Sequence, residues 1–184
     1  MNLIAIKKPE FDIELDLVYA TSSNFTGMPI YRRADCYLHI DAAAALQKAI
    51  TLAKELGYRL KVFDGFRPHE AQWVLWKHTP DPNFISNPET GSMPHCRGVA
   101  VDLTLIDAQG NELDMGTAFD ALIPLSHHGV TNISKESQHN RFILLGIMTA
   151  AGWDFYRNEW WHYQLFQSRS YSIIKDEDAQ TGLM

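Results

Sequence analysis

The stretch "WDFYRNEWWHYQLF", Trp153 to Phe166, predicts a β-hairpin near the end of the chain. Aromatic residues are frequent in both arms, and "RN" between them supplies a polar turn. Two strands joined by so short a turn pair in antiparallel fashion. Upstream, strands and helices do not alternate strictly, as they would in a parallel-sheet protein. The sequence therefore predicts an α+β fold, with helices packed on a mainly antiparallel central sheet.

The first half of the chain carries clear element signals. "FDIELDLVYA" alternates apolar and acidic residues, which is typical of a half-buried strand. "DAAAALQKAITLAKELG" predicts a helix with Asp41 as its N-cap and Gly57 at its end. "YRLKVFD" predicts a strand ending at Asp64, followed by the turn "GFR" and a helix that starts with Pro68. Residues 79–94 hold four of the eight prolines, so we expect an irregular loop there.

The second half predicts a strand in "GVAVDLTLID", a turn in "AQGN" and a further strand in "ELDMG". A helix follows in "SKESQHNRFILLGIMTAAG", capped by Ser134. We expect one domain over residues 1–184, in which the weakly patterned tail, about 168–184, is mobile.

Charge and hydropathy exclude several classes of function. The net charge is −6 and no Lys/Arg cluster is present, so nucleic acid is not an expected partner. No apolar run approaches the roughly 20 residues that span a bilayer, so no membrane association is expected. The start, "MNLIAIKKPEFDIELDLVYA", lacks the apolar core of a signal peptide. We therefore expect a cytoplasmic protein.

Individually, the candidate metal-binding residues have ordinary explanations. Asp102 lies in an apolar strand, where a hydrogen bond or salt bridge would be enough to satisfy a buried carboxylate. His162 follows two tryptophans and, taken alone, is better explained as a packed histidine. Glu159 and His162 would point to opposite faces of a regular strand. They can share a site only if the chain bends or turns at Arg157 and Asn158.

Taken together, these residues match a catalytic zinc site. Two histidines, His95 and His162, with Asp102 could supply three ligands and leave the fourth position to water. Glu159 would remain free to take a proton from that water and pass it to the leaving amine. Arg67, on the turn after a strand, could face the negative charge that develops on the carbonyl oxygen. A simple surface position is the alternative for Arg67.

Six short motifs, in this order along the chain, resemble those of a known family: "DGFRP", "PHCRGVAVDLTL", "MGTAFD", "SHH", "NR" and "EWWHY". In them the chain resembles the zinc D-alanyl-D-alanine dipeptidases of the vancomycin-resistance type, within the D-Ala-D-Ala metallopeptidase group. The resemblance implies one Zn²⁺ per chain held by His95, Asp102 and His162. It also implies Glu159 as general base and acid, and Arg67 as the group that stabilises the tetrahedral intermediate.

The same resemblance implies how a small dipeptide substrate is held. Asp120 in "MGTAFD" and Tyr19 in "VYATSSNFTG" match positions that bind the free amino group of the dipeptide. Ser92 is a candidate for substrate binding, although it lies three residues before His95 where the family pattern has two. The adjacent His127 and His128 point apart in an extended segment, so we expect them to pack near the site rather than bind metal.

Two other functions stay open at this point. The same zinc site could belong to a carboxypeptidase or endopeptidase that cleaves longer wall peptides, which would need an open pocket around Asp120. A zinc-stabilised binding domain without catalysis is the third reading, but it gives no chemical reason to keep Glu159 and Arg67. Homo-oligomer formation is also left open by the sequence.

Overall fold

The computed structural model describes residues 2–184. Within them the chain forms four helices: α1 (Ile40–Glu55), α2 (His69–His78), α3 (Lys135–Ala150) and α4 (Asp176–Ala179). The strands are β1 (Leu3–Ala5), β2 (Ile13–Leu15), β3 (Tyr37–His39), β4 (Arg59–Asp64), β5 (Ala100–Ile106), β6 (Trp153–Phe155) and β7 (His162–Leu165). None of the helices in this described part is long and apolar enough to cross a membrane.

Five strands form the central sheet, in the order β2-β4-β5-β7-β6. The pairs β4–β5, β5–β7 and β7–β6 are antiparallel, whereas β2 runs parallel to β4 at one edge. β1 and β3 form a separate antiparallel pair. The predicted α+β fold with a mainly antiparallel sheet is confirmed, and the parallel edge pair makes the sheet mixed.

The central strand β5 separates the hydrophobic core from the functional face. All seven of its residues are buried. Val101, Leu103 and Leu105 belong to the main hydrophobic core, in which α1 and α3 pack against each other and against the sheet. Successive side chains of a strand point to opposite faces, so Asp102 faces away from this core. The strand alternation expected from the sequence is therefore what places one carboxylate on the other face.

The first long helix begins two residues earlier than its predicted cap would place it. α1 starts at Ile40, and His39 is its N-cap, with Nδ1 accepting the backbone N–H of Asp41 at 3.2 Å. Asp41 lies in the first turn, where a negative charge still favours the helix dipole. The prediction of Asp41 as the cap was wrong because β3 leads directly into the helix, and the histidine at that junction supplies the acceptor.

In the second half of the chain, the predicted strand "ELDMG" is wrong and the predicted helix cap Ser134 is confirmed. "ELDMG" forms no strand, since only Glu112 pairs with β5, as an isolated bridge to Ile106. The Asp107 side chain accepts backbone N–H groups of Gln109 and Asn111, so a tight side-chain-stabilised turn takes the chain away from the sheet. By contrast, Ser134 caps α3 as predicted, accepting the backbone N–H of Ser137 at 2.9 Å.

The C-terminal segment, for which mobility is predicted, packs against the body of the protein. Ile174 and Leu183 are buried and form a small cluster with Phe66, which precedes Arg67. The Asp176 carboxylate accepts the backbone N–H groups of Leu183 and Met184. These apolar side chains and one carboxylate give the segment a defined path that its polar composition does not predict.

A glycine substitution tests the junction that leads into β5. Gly98 has a φ of +68°, and an added Cβ would lie 2.6 Å from Leu3 Cδ2 and 3.0 Å from the His39 backbone nitrogen. We expect Gly98→Ala to lower the free energy of unfolding by about 2–4 kcal/mol, from backbone strain plus this overlap. Gly110 has a φ of +88° but nothing within 4 Å, so Gly110→Ala should lose only about 1–2 kcal/mol. Urea denaturation measures both, and equal losses would contradict the predicted overlap.

Candidate active site

Adjacent strands and the short turn before them bring three potential metal ligands together. In the β5–β7 pair, Asp102 lies directly opposite His162. His95 comes from the 3-10 turn His95–Arg97 that precedes β5. All three residues are buried, and they are the one such group within residues 2–184 whose ligand atoms all lie within 4.8 Å of one another. The site is thus built on the hydrogen-bonded centre of the sheet.

The three ligand atoms form a nearly equilateral triangle. His95 Nε2 lies 3.3 Å from Asp102 Oδ1, His162 Nδ1 lies 3.0 Å from the same oxygen, and the two nitrogens are 3.1 Å apart. Tetrahedral zinc bound at 2.0–2.1 Å holds its ligand atoms about 3.3–3.4 Å apart. The spacing of these donors therefore fits one zinc-sized ion, with a small outward movement of the side chains.

Hydrogen bonds on the far side of each ring fix which histidine nitrogen faces the triangle. His95 Nδ1 lies 2.7 Å from the carbonyl oxygen of Gly65, which can only accept a hydrogen bond. His162 Nε2 lies 3.2 Å from Gln164 Oε1. When those nitrogens donate, His95 Nε2 and His162 Nδ1 keep free lone pairs for a metal.

The predicted turn at Arg157 and Asn158 is present and brings Glu159 to the site. The Glu159 N–H donates to the Tyr156 carbonyl at 3.2 Å, and β7 begins only at His162. As a result, Glu159 Oε2 lies 3.9 Å from His162 Nδ1. Burial, followed by the negative charges of Asp102 and Asp120, raises the pKa of Glu159 well above its ordinary value. Such a carboxylate is a stronger proton acceptor than one in water and is a candidate for proton transfer.

Arg67 is a buried residue of the pocket wall and not a surface arginine. Its Nε and one terminal nitrogen donate to Asp64 Oδ2 at 2.9 and 2.8 Å. Its other terminal nitrogen donates to Gln72 Oε1 at 3.0 Å. Tyr31 donates to the second oxygen of Asp64 at 2.9 Å, so the carboxylate itself is fixed. The guanidinium is held 3.6 Å from Asp102 Oδ2, at the edge of the ligand triangle.

Tyr19 and Asp120 meet at the site, although 101 residues separate them in the chain. The Tyr19 hydroxyl donates to Asp120 Oδ2 at 2.9 Å, and the Arg67 guanidinium lies 5.1 Å from the centre of the Tyr19 ring. Asp120 has a φ of 58°, a conformation that aspartate tolerates better than most residues. Burial, and next the charge of Asp102, raises its pKa to about 8.

One cavity of about 260 Å³ connects all of these groups. Its lining includes every site residue predicted from the sequence: Tyr19, Arg67, Ser92, His95, Asp102, Asp120, Glu159 and His162. The volume is below the roughly 300–1,000 Å³ of pockets for drug-sized ligands, which indicates a small ligand. Ser92 lies on the wall, and its backbone carbonyl accepts a hydrogen bond from Arg97 Nε at 2.8 Å.

The charges around the cavity are unbalanced. Asp102, Asp120 and Glu159 line it, whereas Arg67 is the lining guanidinium and is already paired with Asp64 behind it. Two adjacent histidines outweigh the effect of burial on Asp102 and hold the pKa of its carboxyl below the ordinary value. Buried carboxylates are stable only when cations or hydrogen bonds compensate them. The arrangement is therefore suited to two further positive charges, one at the triangle and one beside Asp120.

Three residues that support the site were missed from the sequence. Asp64 and Gln72 hold Arg67, and Gln164 orients His162. Gln164 could have been found, because it lies two residues after His162 on the same face of the strand. Nothing in the local sequence distinguishes Asp64 from an ordinary strand-end aspartate, since its partner Tyr31 lies 33 residues away.

His127 and His128 are not among the three candidate ligands. The His127 ring packs near Phe84 at 6.1 Å between centroids, and His128 packs against Phe155 at 4.9 Å. Burial, with a contribution from Arg141, lowers the pKa of His128 to about 4. The side chains take different neighbours, as expected for adjacent residues in an extended segment.

Known proteins with similar sequences are D-alanyl-D-alanine dipeptidases. The sequence profile of the D-ala-D-ala dipeptidase family matches residues 2–177. A D-alanyl-D-alanine dipeptidase from Escherichia coli (strain K12) is 43% identical over 166 residues, which cover 90% of this chain and 86% of the relative. Another, from Enterococcus faecium, is 38% identical over 173 residues, covering 83% of this chain and 86% of the relative.

Among solved structures, a mutant of the vancomycin resistance D,D-pentapeptidase VanY in complex with Zn(II) is similar with a TM-score of 0.47. Its sequence identity is 16%, over 92% of this chain and 91% of that chain. Family membership follows from the sequence matches. With a profile that covers residues 2–177 and relatives up to 43% identical, the chain belongs to the D-ala-D-ala dipeptidase family.

Proposed function

We propose that this protein is a zinc-dependent D,D-dipeptidase that hydrolyses D-Ala-D-Ala to two molecules of D-alanine. Family membership and the similarity to D-alanyl-D-alanine dipeptidases support the activity. The observation that carries the proposal is the cavity in which the ligand triangle and Glu159 face the Tyr19–Asp120 pair. That arrangement offers hydrolytic groups and a site for an ammonium group within one small cavity.

The proposed metal ligands are His95 Nε2, Asp102 Oδ1 and His162 Nδ1, with one ion per chain. Zinc bound there would polarise the scissile carbonyl and make water more acidic. The spacing of the three donors and the hydrogen bonds behind both histidine rings support this assignment.

Glu159 is proposed as the group that moves protons. It accepts a proton from the attacking water and returns it to the nitrogen of the leaving D-alanine. Its position 3.9 Å from His162 Nδ1 leaves it next to the triangle but outside the ligand set. Burial raises the pKa of Glu159 well above its ordinary value, which makes the carboxylate a stronger proton acceptor than one in water.

Arg67 is proposed to stabilise the oxygen that becomes negative when water adds to the carbonyl carbon. Asp64 and Gln72 hold its guanidinium, so little rearrangement is needed during the reaction. The charge is present in a site shielded from water, where it acts more strongly than it would in solution.

Asp120 and Tyr19 are proposed to bind the free amino group of the dipeptide. An ammonium group placed there would pair with a carboxylate that is otherwise poorly compensated. In a peptide with a further residue before this position, the nitrogen next to Asp120 would be a neutral amide instead of an ammonium group. The extra residue would also need more space, so such a peptide should be rejected. Ser92, on the same wall, is proposed as a further substrate contact. The cytoplasmic location stays a prediction from the sequence.

The first test is removal of the proton-transfer group. We expect Glu159→Gln to lower kcat for D-Ala-D-Ala by about 10²–10⁴-fold while one metal ion per chain is retained, because the amide cannot accept the proton. Turnover and bound metal are measured on the same preparation. Glu136→Gln, at the exposed start of α3, is the matched control and should keep full activity. Unchanged turnover in Glu159→Gln would rule out its proposed role.

The second test concerns amine recognition and its pH dependence. Because protonation removes the charge that pairs with ammonium, KM for D-Ala-D-Ala should rise as pH falls through the pKa of Asp120, which lies at about 8 without a bound cation. Steady-state rates across neutral pH measure this. Asp120→Asn should raise KM and lose that pH dependence. N-acetyl-D-Ala-D-Ala should be a poor substrate throughout, and its efficient cleavage by the unmodified protein would indicate a carboxypeptidase instead.

The third test is metal removal. We expect chelation to abolish turnover and to lower the free energy of unfolding by about 3 kcal/mol relative to protein with free zinc at 100 times its dissociation constant. Adding zinc should restore both. His95→Gln removes one ligand, so its unfolding midpoint should not respond to zinc in this range. A response equal to that of the unmodified protein would place the metal elsewhere.

A further inference from the structure

Arg141, on α3, is a buried cation that the proposed mechanism does not use. It is 4% exposed, and within residues 2–184 no carboxylate lies within 4 Å of its nitrogens. Its guanidinium donates to the carbonyls of Met115, Leu125 and His127 at 2.7, 3.0 and 3.1 Å. Burying a cation among neutral acceptors is unfavourable compared with an apolar side chain. Asp114 attracts Arg141 electrostatically without an ion pair within 4 Å, so the three directed hydrogen bonds to carbonyls are what distinguish an arginine at this position.

The carbonyls that Arg141 binds lie at the two ends of one loop. Residues 115–127 leave the region of the sheet, carry Asp120 into the cavity and return. Inside the loop, Ser126 Oγ donates to the carbonyl of Ala121, next to Asp120, at 2.5 Å. One planar guanidinium thus ties together the base of the loop that presents the proposed amine-binding carboxylate.

The same loop also holds the turn that carries Glu159. Thr117 Oγ1 accepts the indole N–H of Trp160 at 2.9 Å, and the Ser126 carbonyl accepts the Trp160 backbone N–H at 3.0 Å. The His128 backbone N–H donates to the Arg157 carbonyl at 2.9 Å. These three bonds lie on both sides of Glu159 in the sequence. The position of Glu159 therefore depends on the loop, and the loop depends on Arg141.

We propose that Arg141 is a positioning residue that sets the distance between amine recognition at Asp120 and proton transfer at Glu159. The proposal rests on the proposed dipeptidase function. It gives Ser126, His128 and Arg141 a role in the site although none of them lines the cavity. A dipeptide has one fixed separation between its amino group and its scissile bond, so fixing the loop and the turn together selects for that length.

Lysine cannot replace this arginine. Its single ammonium has three donors at one point, whereas the acceptors at Met115, Leu125 and His127 surround a planar fork. Arg141→Lys keeps the charge but should release one end of the loop. A shift on the order of 1 Å at a catalytic group lowers the rate by about 10²-fold.

The test compares kcat and KM for D-Ala-D-Ala among three variants. In Arg141→Lys, both proposed groups move, so we expect kcat to fall by about 10–10²-fold and KM to rise by about tenfold. In Thr117→Val, the bond from Trp160 is lost together with the 3.4 Å bond from Arg141 and the bond to Ser126 Oγ, while the three bonds from Arg141 to the backbone remain. We therefore expect kcat to fall and KM to rise less than it does in Arg141→Lys. Metal content should stay at the level of the unmodified protein in both.

Ser137→Ala is the matched control for a purely structural role. Ser137 is buried on the same helix, and its hydroxyl donates to Asp114 Oδ2 at 2.7 Å, just before the loop begins. We expect this variant to lower the unfolding midpoint without changing kcat or KM. If Arg141→Lys does not fold, Thr117→Val decides the question alone.

The proposal is overturned if Arg141→Lys or Thr117→Val behaves like Ser137→Ala, with stability reduced and both kinetic constants unchanged. An unmodified, metal-loaded protein that cleaves no dipeptide at all would refute the dipeptidase function, and this inference with it. If the unmodified protein is active and only the variants lose activity, the dipeptidase function stands and the positioning role of Arg141 is supported.

Discussion

The buried excess of negative charge in one small cavity is the constraint on which the rest of this structure depends. Asp102, Asp120 and Glu159 all line a space of about 260 Å³, and Asp64 already pairs with the one arginine of the lining, Arg67. Carboxylates in such an environment either take up protons or attract cations. The raised pKa values of Asp120 and Glu159 are the first response, and the proposed zinc ion and substrate ammonium are the second. Substrate binding and metal binding would thus relieve the same charge imbalance at two places in one cavity.

The central sheet fixes the relative positions of two of the proposed metal ligands. Asp102 and His162 are partners in the β5–β7 ladder, so the backbone hydrogen bonds that build the sheet also set the distance between two ligand atoms. A slip of one residue in that register would turn one of the two side chains towards the hydrophobic core. The groups that must move protons or recognise substrate lie instead on turns and loops. There, a hydrogen bond from Tyr19 holds the Asp120 side chain, and backbone hydrogen bonds hold the turn that carries Glu159.

Sequence reasoning succeeded where a pattern is local and failed where a partner is distant. The alternation along β5 is enough to place Asp102 on the face away from the core, and opposite parity was enough to require a turn before His162. The burial of Arg67 could not be predicted, since it depends on Asp64 and Gln72 after the chain has folded into β4 and α2. The meeting of Tyr19 with Asp120 spans 101 residues and was reached only through family resemblance. The helix cap at His39 was missed because histidine is an unusual N-cap, and "ELDMG" was taken for a strand because its apolar spacing resembles one.

The position of the proposed ligands along the chain has a consequence for biosynthesis. His95 and Asp102 belong to the middle of the sequence, whereas His162 lies 67 residues after His95, on the final strand of the central sheet. A nascent polypeptide emerges from the ribosome N-terminus first, at about 5–20 residues per second. A chain that has not yet added β7 can offer a metal ion only two of the three ligands, and one that ends before residue 159 lacks Glu159 as well. The complete site can therefore form only late in translation, after the other strands of the central sheet have been synthesised. Chains truncated before His162 are expected to be inactive.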